Sequence, residues 1–371
     1  MASLGVFWFS GVILFFLSVF PPWLHYSRMR KIDNPHYDRK SPKYELSLTI
    51  FLPMKNEGKN VVRKINEVLS MDRPTSDLRL LIVDSGSNDG TADLAKQHLE
   101  KIDDEISWRV ISLSRSGKSV AVNHALEIIE TDIMIMMDAD AFSPSDSLVK
   151  LYNHFSDKQI GAVCGKFSPP SSILGGEYRK RFNTIRTGES VIWATPILEG
   201  SICAFRISSI GDNRINDEIN ADDSQLSMII ISNGFRTIMD PEIRFNEGGV
   251  SQPTRKRLVR RGQGLIRAIN QHKGNDFSTK EFKPIFYHSY YFYTIMPLLV
   301  SFSIILFISS SISYSINYES DVGNYSILTL ALFSLSRTCR DFVVGISILL
   351  ESQIRLIFGQ KLQNWDTDRK S

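Results

Sequence analysis

Cysteine is scarce in this chain of 371 residues, which contains three: Cys164, Cys203 and Cys339. They lie far apart, with neither the paired spacing of a zinc site nor the density of a disulfide scaffold. A reducing compartment such as the cytoplasm fits this usage. A large excess of one charge is also lacking, because 43 Lys and Arg oppose 40 Asp and Glu. A net charge of +3 is too small to indicate nucleic acid as a partner.

Two glycine patterns of nucleotide-binding enzymes are absent as well. No Gly-x-Gly-x-x-Gly follows the first predicted strand, which argues against a dinucleotide-binding dehydrogenase. No Gly-x-x-x-x-Gly-Lys-Ser/Thr occurs, which argues against a phosphate-loop nucleoside triphosphatase.

The first apolar run covers residues 4–24, which carry no charge and are long enough to cross a bilayer as a helix. A cleaved signal peptide is the competing interpretation. No Lys or Arg precedes the run, however, and no small-residue cleavage site follows it. We therefore predict an N-terminal transmembrane anchor over residues 1–26.

Basic residues after this run predict its orientation. Arg28, Arg30 and Lys31 follow it directly, and cytoplasmic flanks carry such an excess of Lys and Arg. We expect a multi-pass protein of the cell membrane, with its N-terminus outside and its polar middle in the cytoplasm.

Two more apolar runs lie near the C-terminus, over residues 287–316 and 325–350. His288 and the tyrosines around it resemble an interfacial aromatic belt. Arg337, Arg340 and Asp341 interrupt the last run, which indicates either a local ion pair on an interfacial helix or a polar site for a lipid phosphate. We predict two transmembrane or interfacial helices over residues 284–350 and a cytoplasmic tail over residues 351–371.

Between residues 44 and 267, short apolar runs alternate with segments of helical spacing. The predicted strands cover residues 46–52, 78–83, 108–113 and 133–137, and the predicted helices cover residues 60–70, 89–99 and 120–129. This alternation predicts an α/β domain with a mainly parallel sheet. Ligands bind beyond the carboxyl ends of such strands, so the polar residues that follow each run are the candidates for a site.

Asp138-Ala139-Asp140 is the strongest of these signals, because it directly follows a strand that looks buried. Two carboxylates at one strand end can approach one hard divalent cation, such as Mg²⁺ or Mn²⁺, together with phosphate oxygens. Taken alone, the motif is more often a solvated turn.

Three further polar segments could each have a functional role or an ordinary structural one. Asp84 could accept a hydrogen bond from a nucleoside, although its loop also suits an ordinary helix cap. Lys118 opens a helix whose N–H groups suit a phosphate, or it belongs to a basic surface loop. Asp222 and Asp223 open another helix, where one carboxylate could deprotonate an acceptor hydroxyl or merely cap the helix.

The order of these motifs resembles the inverting family 2 glycosyltransferases, which have the A-type nucleotide-sugar-binding fold. The segments that carry the resemblance are 53–57, 83–91, 117–123, 138–140, 200–206 and 222–227. With its flanking helices, the chain is similar to hyaluronan, chitin and cellulose synthases and to lipid-linked sugar transferases. The resemblance implies a hexosyltransferase-like enzyme that uses a UDP- or GDP-sugar and acts on a membrane lipid, a lipid-linked acceptor or a glycan.

Carried over residue by residue, the resemblance also implies roles. Asp223 would be the catalytic base, with Asp222 supporting it, and Asp138 and Asp140 would bind Mg²⁺ or Mn²⁺. The nucleotide-sugar contacts would come from Pro53, Asn56, Glu57, Asp84, Lys118, Asp138, Gly200 and Ser201.

One departure bears on the product. The Gln-x-x-Arg-Trp motif of processive synthases is missing, and the corresponding region, residues 255–264, is a basic run without Trp. Transfer of one or a few sugars is therefore favoured over a processive polysaccharide synthase. A catalytically silent membrane scaffold and a nucleotidyltransferase stay as alternatives. The basic run would bind anionic head groups or a diphosphate, or be a plain interfacial helix.

Overall fold

The computed structural model describes residues 2–32, 35, 37–102, 106–168, 176–247, 254–275, 277, 279–318 and 336–362. The first part of the apolar run 325–350 lies outside these residues. Trp365 and Arg369, whose tail segment resembles that of membrane-anchored transferases, also lie outside the described residues.

Strands and helices alternate as the sequence predicts. The strands are β1 (Leu48–Met54), β2 (Leu78–Ser85), β3 (Ser107–Leu113), β4 (Ile133–Met137), β5 (Ala141–Phe142), β6 (Ile160–Phe167), β7 (Ile202–Arg206) and β8 (Arg236–Glu247). The helices are α1 (Ala2–Arg30), α2 (Val61–Leu69), α3 (Thr91–Leu99), α4 (Lys118–Ile128), α5 (Ser147–Asn153), α6 (Gly176–Ile192), α7 (Ile207–Ile210), α8 (Asp222–Ser232), α9 (Arg255–Gln271), α10 (Phe282–Tyr290), α11 (Met296–Tyr318) and α12 (Arg337–Ile357). A 3₁₀ turn, His154–Ser156, follows α5, and a π-helical turn, Tyr291–Ile295, joins α10 to α11.

The eight strands form one curled sheet in the order β3-β2-β1-β4-β7-β6-β8-β5. Strands β3, β2, β1 and β4 run parallel, and β7 pairs with β4 and β6 in the antiparallel sense. Every residue of β1 and β4 is buried, as expected for central strands covered on both faces. The α/β fold with a mainly parallel sheet is thereby confirmed.

Alternate strand residues supply two separate cores. Ile50 and Leu52 point to the face covered by α2, α3 and α5, whereas Phe51 points to the face covered by α4 and α8. This two-sided burial follows from the period of two along a strand. It brings the N-termini of α4 and α8 to the same edge of the sheet, where β1, β2 and β4 end.

The first strand lies two residues later than the sequence predicts, over 48–54 rather than 46–52. The amide of Leu46 donates to the Tyr152 hydroxyl (2.7 Å) and so is not used in the sheet. Pro53 lies in strand register with Val83, beyond the last pair between β1 and β4 at Phe51 and Met136. Its missing N–H therefore disrupts no hydrogen bond to β4.

Two helical stretches, Phe7–Arg30 and Phe282–Asn317, are long and apolar enough to cross a membrane by length and composition. Helix α1 packs along α11. The approach is close at Gly11, where an added Cβ would stand 3.0 Å from the backbone nitrogen of Phe307. The end of α1 then lies against α6, because a Cβ added at Gly188 of α6 would stand 2.8 Å from the Cβ of Met29.

The C-terminal helix α12 differs from the predicted pattern in its bounds. It begins at Arg337 and continues to Ile357, so the helix extends seven residues beyond the predicted bound at residue 350. Helix α12 packs on α9, which contains the basic run 255–261. Arg255 of that run pairs with Glu351 of α12 (2.8 Å). One positive charge of the basic run is therefore paired within the chain.

Candidate active site

The Asp138–Asp140 turn follows β4 at the carboxyl edge of the sheet, and both aspartates are half-buried. The amide of Asp138 donates to the Ser201 carbonyl (3.0 Å), and the amide of Ala141 donates to the Asp138 carbonyl (3.2 Å). The turn is therefore attached to the Gly200-Ser201 segment, as the sheet pairing of β4 with β7 requires.

A buried lysine that the sequence reasoning missed supports the same turn. Lys64 of α2 is fully buried, and its Nζ donates to the Ala141 carbonyl (2.6 Å) and pairs with Glu67 (3.2 Å). Burial lowers the pKa of Lys64. The sequence feature that could have identified Lys64 is its position on the apolar face of α2, between Val61 and Val68, where a lysine is unusual.

Lys118 connects the two acidic segments of the site. Its Nζ lies 2.8 Å from Oδ1 of Asp138 and 3.3 Å from Oδ2 of Asp222, and its side chain is 17% exposed. Burial lowers the pKa of Lys118, but the charges of Asp138 and Asp222 outweigh that effect and raise the pKa above its ordinary value. Lys118 is therefore a fixed positive charge, and the carboxylates after β4 and at the start of α8 share one cleft.

Asp223 is the site's unusual acid. Burial and the neighbouring charge of Asp222 raise its pKa to about 7, against the opposing effect of Lys118. One of its oxygens, Oδ1, accepts a hydrogen bond from the amide of Ser224 (2.7 Å). A carboxyl group with a pKa near neutrality can both take and release a proton at physiological pH, as a general base must.

Gly200 lies against Asp223. A Cβ at residue 200 would stand 2.8 Å from Oδ2 of Asp223, too close for any side chain to fit without displacement. The close approach of residue 200 to the carboxylate therefore requires glycine at this position.

Glu199, the residue before Gly200, is held by a buried arginine that the sequence reasoning also missed. Arg186 of α6 forms a short ion pair with Glu199. Burial raises the pKa of Glu199, but the charges of Arg186 and Arg179 outweigh burial and lower it. This pair connects α6 to the loop in front of β7.

The candidate nucleoside loops form a second cluster, at the ends of β1 and β2. Asp84 accepts hydrogen bonds from the amide and the hydroxyl of Ser87. The Ser87 hydroxyl in turn accepts from the amide of Asn56 (2.7 Å), and Asn56 Oδ1 accepts from the amide of Asn88 (2.9 Å). Asn56 has a left-handed backbone (φ 52°), which asparagine tolerates better than most residues. The segments 53–57 and 84–91 are thus built as one unit.

Glu57 belongs to the same unit by its backbone. Its amide donates to the Thr91 hydroxyl (2.9 Å), which also donates to Asp89 (2.5 Å). The side chain of Glu57 accepts from Asn60 (2.7 Å). These contacts fix the backbone and the side chain of Glu57 in front of α2, so Glu57 has a structural role there.

Two amide side chains fix the loop that leads into α8. Asn123 of α4 exchanges two hydrogen bonds with the backbone of Ile215 (2.8 and 3.0 Å). Gln225 accepts from the amide of Asn216 (2.9 Å) and donates to the carbonyls of Asn216 and Ile219. The position of Asp222 and Asp223 is therefore set from both sides of the loop.

The composition of the cleft fits a divalent cation. Asp138, Asp140, Asp222 and Asp223 supply four carboxyl groups, and Lys118 is the cation paired with two of them. An ammonium group already lies beside Asp138, which shows that positive charge is stabilised there. Carboxylate oxygens are the donors that Mg²⁺ and Mn²⁺ prefer. Asp138 and Asp140 therefore fit the predicted metal site.

The structure brings Asp138, Gly200, Ser201, Asp222 and Asp223 together with Lys118. Pro53, Asn56, Glu57 and Asp84 lie at the ends of the neighbouring strands β1 and β2, on the same edge of the sheet.

Comparison with known proteins bears on the domain in which these residues lie. The family model "Glycosyl transferase family 2" matches residues 49–212, which contain β1 through α7 and the metal-site candidates. Residues 49–212 are a family 2 glycosyltransferase domain. Asp222 and Asp223 lie ten and eleven residues beyond the matched segment, and the comparison leaves their role open.

Curated relatives are similar over part of their length. The chain is 27% identical over 147 residues to Glycosyltransferase AglE of Haloferax volcanii, a match that covers 39% of this chain and 47% of that protein. It is 25% identical over 128 residues to Beta-monoglucosyldiacylglycerol synthase of Trichormus variabilis, covering 34% of this chain and 27% of that protein. The chain thus spans about half or less of these relatives.

A solved structure extends the likeness of fold to nearly the whole chain. Mannosyltransferase PcManGT from Pyrobaculum calidifontis, in complex with GDP-Man and Mn²⁺, superposes with a TM-score of 0.83. The match covers 94% of this chain and 98% of that one at 23% identity. At this identity the likeness establishes the A-type glycosyltransferase fold.

Proposed function

We propose that the protein transfers a sugar from a nucleoside diphosphate donor to a lipid-linked or glycan acceptor at the cytoplasmic face of a membrane. The observation that carries the proposal is the placement of Lys118 between Asp138 and Asp222. It joins the predicted metal-binding turn, which lies within the segment matched by the family 2 model, to the segment of the predicted base, which follows the match.

The proposed reaction is a single displacement that inverts the anomeric carbon. Asp223 takes the proton of an acceptor hydroxyl, which then attacks the sugar as the nucleoside diphosphate departs. Its pKa of about 7 supports this role, because the base must be ionised at neutral pH. Lys118 supplies fixed positive charge near the departing diphosphate, and Asp222 keeps Lys118 in place.

We propose that Asp138 and Asp140 hold Mg²⁺ or Mn²⁺. When bound, such an ion neutralises the charge that builds on the diphosphate. The complex of PcManGT with Mn²⁺ and GDP-Man, a protein of the same fold, supports this assignment. The nucleoside would lie against Pro53, Asn56, Glu57 and Asp84, and Gly200 and Ser201 would face the sugar and acceptor.

The membrane setting is proposed from the two apolar helical stretches and the basic residues after the first. The name of the Trichormus relative refers to a glycolipid product, which supports a lipid acceptor. We keep the division into an anchor (1–26), a catalytic domain (44–267), C-terminal helices (284–350) and a tail (351–371) as part of the proposal.

The test is a screen of UDP- and GDP-sugars against membranes that contain the protein, with Mn²⁺, followed by mass analysis of the products. We expect release of a nucleoside diphosphate together with a lipid-extractable or short glycan product. A long polymer would indicate a processive synthase, and release of inorganic diphosphate would indicate a nucleotidyltransferase. No turnover of any donor would leave the silent scaffold as the remaining interpretation.

A further inference from the structure

Three metal-ligating side chains from three different helices meet outside the active site. They are His25 near the end of α1, Glu189 of α6 and His288 of α10, and their ligand atoms all lie within 4.8 Å of one another. His25 Nε2 lies 2.9 Å from Glu189 Oε1, and the His25 and His288 rings stack with centroids 3.7 Å apart. The sequence predicts an interfacial aromatic belt around His288, and the structure shows that His288 is also a member of this cluster.

His288 lacks the partners that a buried imidazole needs. Both of its ring nitrogens are buried, and neither has a hydrogen-bond partner among the residues that the structure describes. A neutral imidazole presents one donor and one acceptor, and buried polar groups in folded proteins are almost always paired. A ligand in the adjoining pocket, which Glu189, His288, Ser289 and several aromatic side chains line, would satisfy a ring nitrogen.

Glu189 is an oriented, buried carboxylate. Its side chain is 3% exposed, and Oε2 accepts a hydrogen bond from the Thr195 hydroxyl (2.9 Å). Thr195 is itself held by Thr237, whose hydroxyl donates to the Thr195 carbonyl (2.6 Å). Outer contacts of this kind orient the ligands of metal sites. The nearby Arg186, one turn earlier in α6, forms its ion pair with Glu199.

We propose that His25, Glu189 and His288 form a site for a divalent transition metal, with Zn²⁺ as the best fit. Two imidazoles and one carboxylate are a donor set that Zn²⁺ accepts, and three protein ligands leave one position open. Ligands at about 2.1 Å from a tetrahedral ion stand ~3.4 Å apart, so the cluster must contract and the stacked rings must separate. Rotation of the His288 ring about its last side-chain torsion, which has a broad range, would supply this movement.

The ion would connect the N-terminal helix to the catalytic domain. Helix α6 carries Glu189 one turn after Arg186, and Arg186 holds Glu199 next to Gly200. Metal binding would thus fix the end of α1 and α10 against the helix that supports the acceptor side of the site. This role does not depend on the donor or acceptor of the proposed reaction.

The test is a Co²⁺ titration of the full-length, metal-stripped protein in detergent, with excess Mg²⁺ present to saturate the oxygen-rich active site. We expect about one Co²⁺ per chain, with the intense visible absorption of a four-coordinate ion, and its displacement by Zn²⁺. His288→Asn, His25→Asn and Glu189→Gln should each abolish that absorption, whereas His124→Asn, in a half-buried histidine of α4, should keep it. Zn²⁺ should raise the Tm of the wild-type protein and not that of the three ligand variants.

The proposal is overturned if the wild-type protein binds no Co²⁺ under these conditions. It is equally overturned if the absorption persists in all three ligand variants. An Asp138→Asn/Asp140→Asn variant should retain the Co²⁺ absorption, because the active-site metal is a separate site, and its loss there would assign the signal to the active site. If His288→Asn does not fold, the wild-type titration and Glu189→Gln decide the question.

Discussion

The Nζ of Lys118 lies 2.8 Å from Oδ1 of Asp138, and the same atom lies 3.3 Å from Asp222. One buried cation thus joins a strand end to a helix start that are 84 residues apart in the chain. Because its charge also opposes the raised pKa of Asp223, Lys118 links the proposed metal-binding turn to the protonation of the proposed base.

Replacement of Lys118 by Ala should therefore shift the pH profile. In the wild-type protein, kcat/KM should rise with pH through about 7, as Asp223 loses its proton. Without the positive charge of Lys118, the pKa of Asp223 should rise further. The rise of kcat/KM, which is the acidic limb of the pH profile, should then move to higher pH. Initial rates from pH 5 to 9 measure this shift, and an unchanged limb would show that Asp223 does not control it. Thermal unfolding should be measured alongside, since removal of Lys118 leaves Asp138 and Asp222 without a buried partner.

Asp223→Asn should reduce kcat while donor binding persists. The amide occupies the same volume but cannot take a proton, and loss of a general base typically costs about 10²- to 10⁴-fold. Donor affinity by calorimetry and turnover by nucleoside diphosphate release separate the two effects. Asp93→Asn, in an exposed residue of α3, is the matched control. Retention of full activity by Asp223→Asn would remove Asp223 from the mechanism.

Gly200→Ala should impair the reaction without unfolding the protein. The new methyl group would stand 2.8 Å from Asp223 Oδ2 and push the carboxylate away, and such a displacement can cost on the order of 100-fold in rate. Gly274→Ala, where nothing lies within 4 Å of the added carbon, is the control. Equal rates for the two variants would contradict the close approach of Gly200 and Asp223.

Gln263→Ala should lower both stability and activity. Gln263 of α9 donates to the Gln360 carbonyl and accepts from the Leu362 amide (both 2.9 Å), and Asn220, two residues before Asp222, donates to the Leu362 carbonyl (2.9 Å). Loss of the buried amide should cost about 1–3 kcal/mol of unfolding free energy and loosen the loop before the base. A denaturant titration and kcat measure the two effects, and Gln97→Ala, in an exposed residue, should change neither. A lower stability with an unaltered kcat would restrict Gln263 to a structural role.

Much of the catalytic fold could be predicted from the sequence, because burial patterns and strand-end chemistry are local. The fully apolar run 133–137 and the Asp138-Ala139-Asp140 that follows it specify a central strand and its carboxyl edge without further information. The turn residues of 84–91 likewise specify the link between β2 and α3.

The rest depends on contacts between distant residues. Lys64 contacts the Ala141 carbonyl across 77 positions, and nothing in its neighbourhood identifies that partner. Arg186 and Glu199 lie 13 positions apart, but Arg186 belongs to a helix, Gly176–Ile192, that the sequence reasoning did not assign. His288 looked like one of several interfacial aromatic residues, because its proximity to His25, 263 positions earlier, exists only in the folded chain.

A crystal structure with Mn²⁺ and an intact nucleotide sugar tests the central claim most directly. The account predicts Mn²⁺ bound by Asp138 or Asp140 and the diphosphate, the nucleoside against Asp84, and Asp223 on the face of the anomeric carbon opposite the diphosphate. A donor bound away from the cleft of Lys118, or Asp223 on the same side of the sugar as its leaving group, would contradict it.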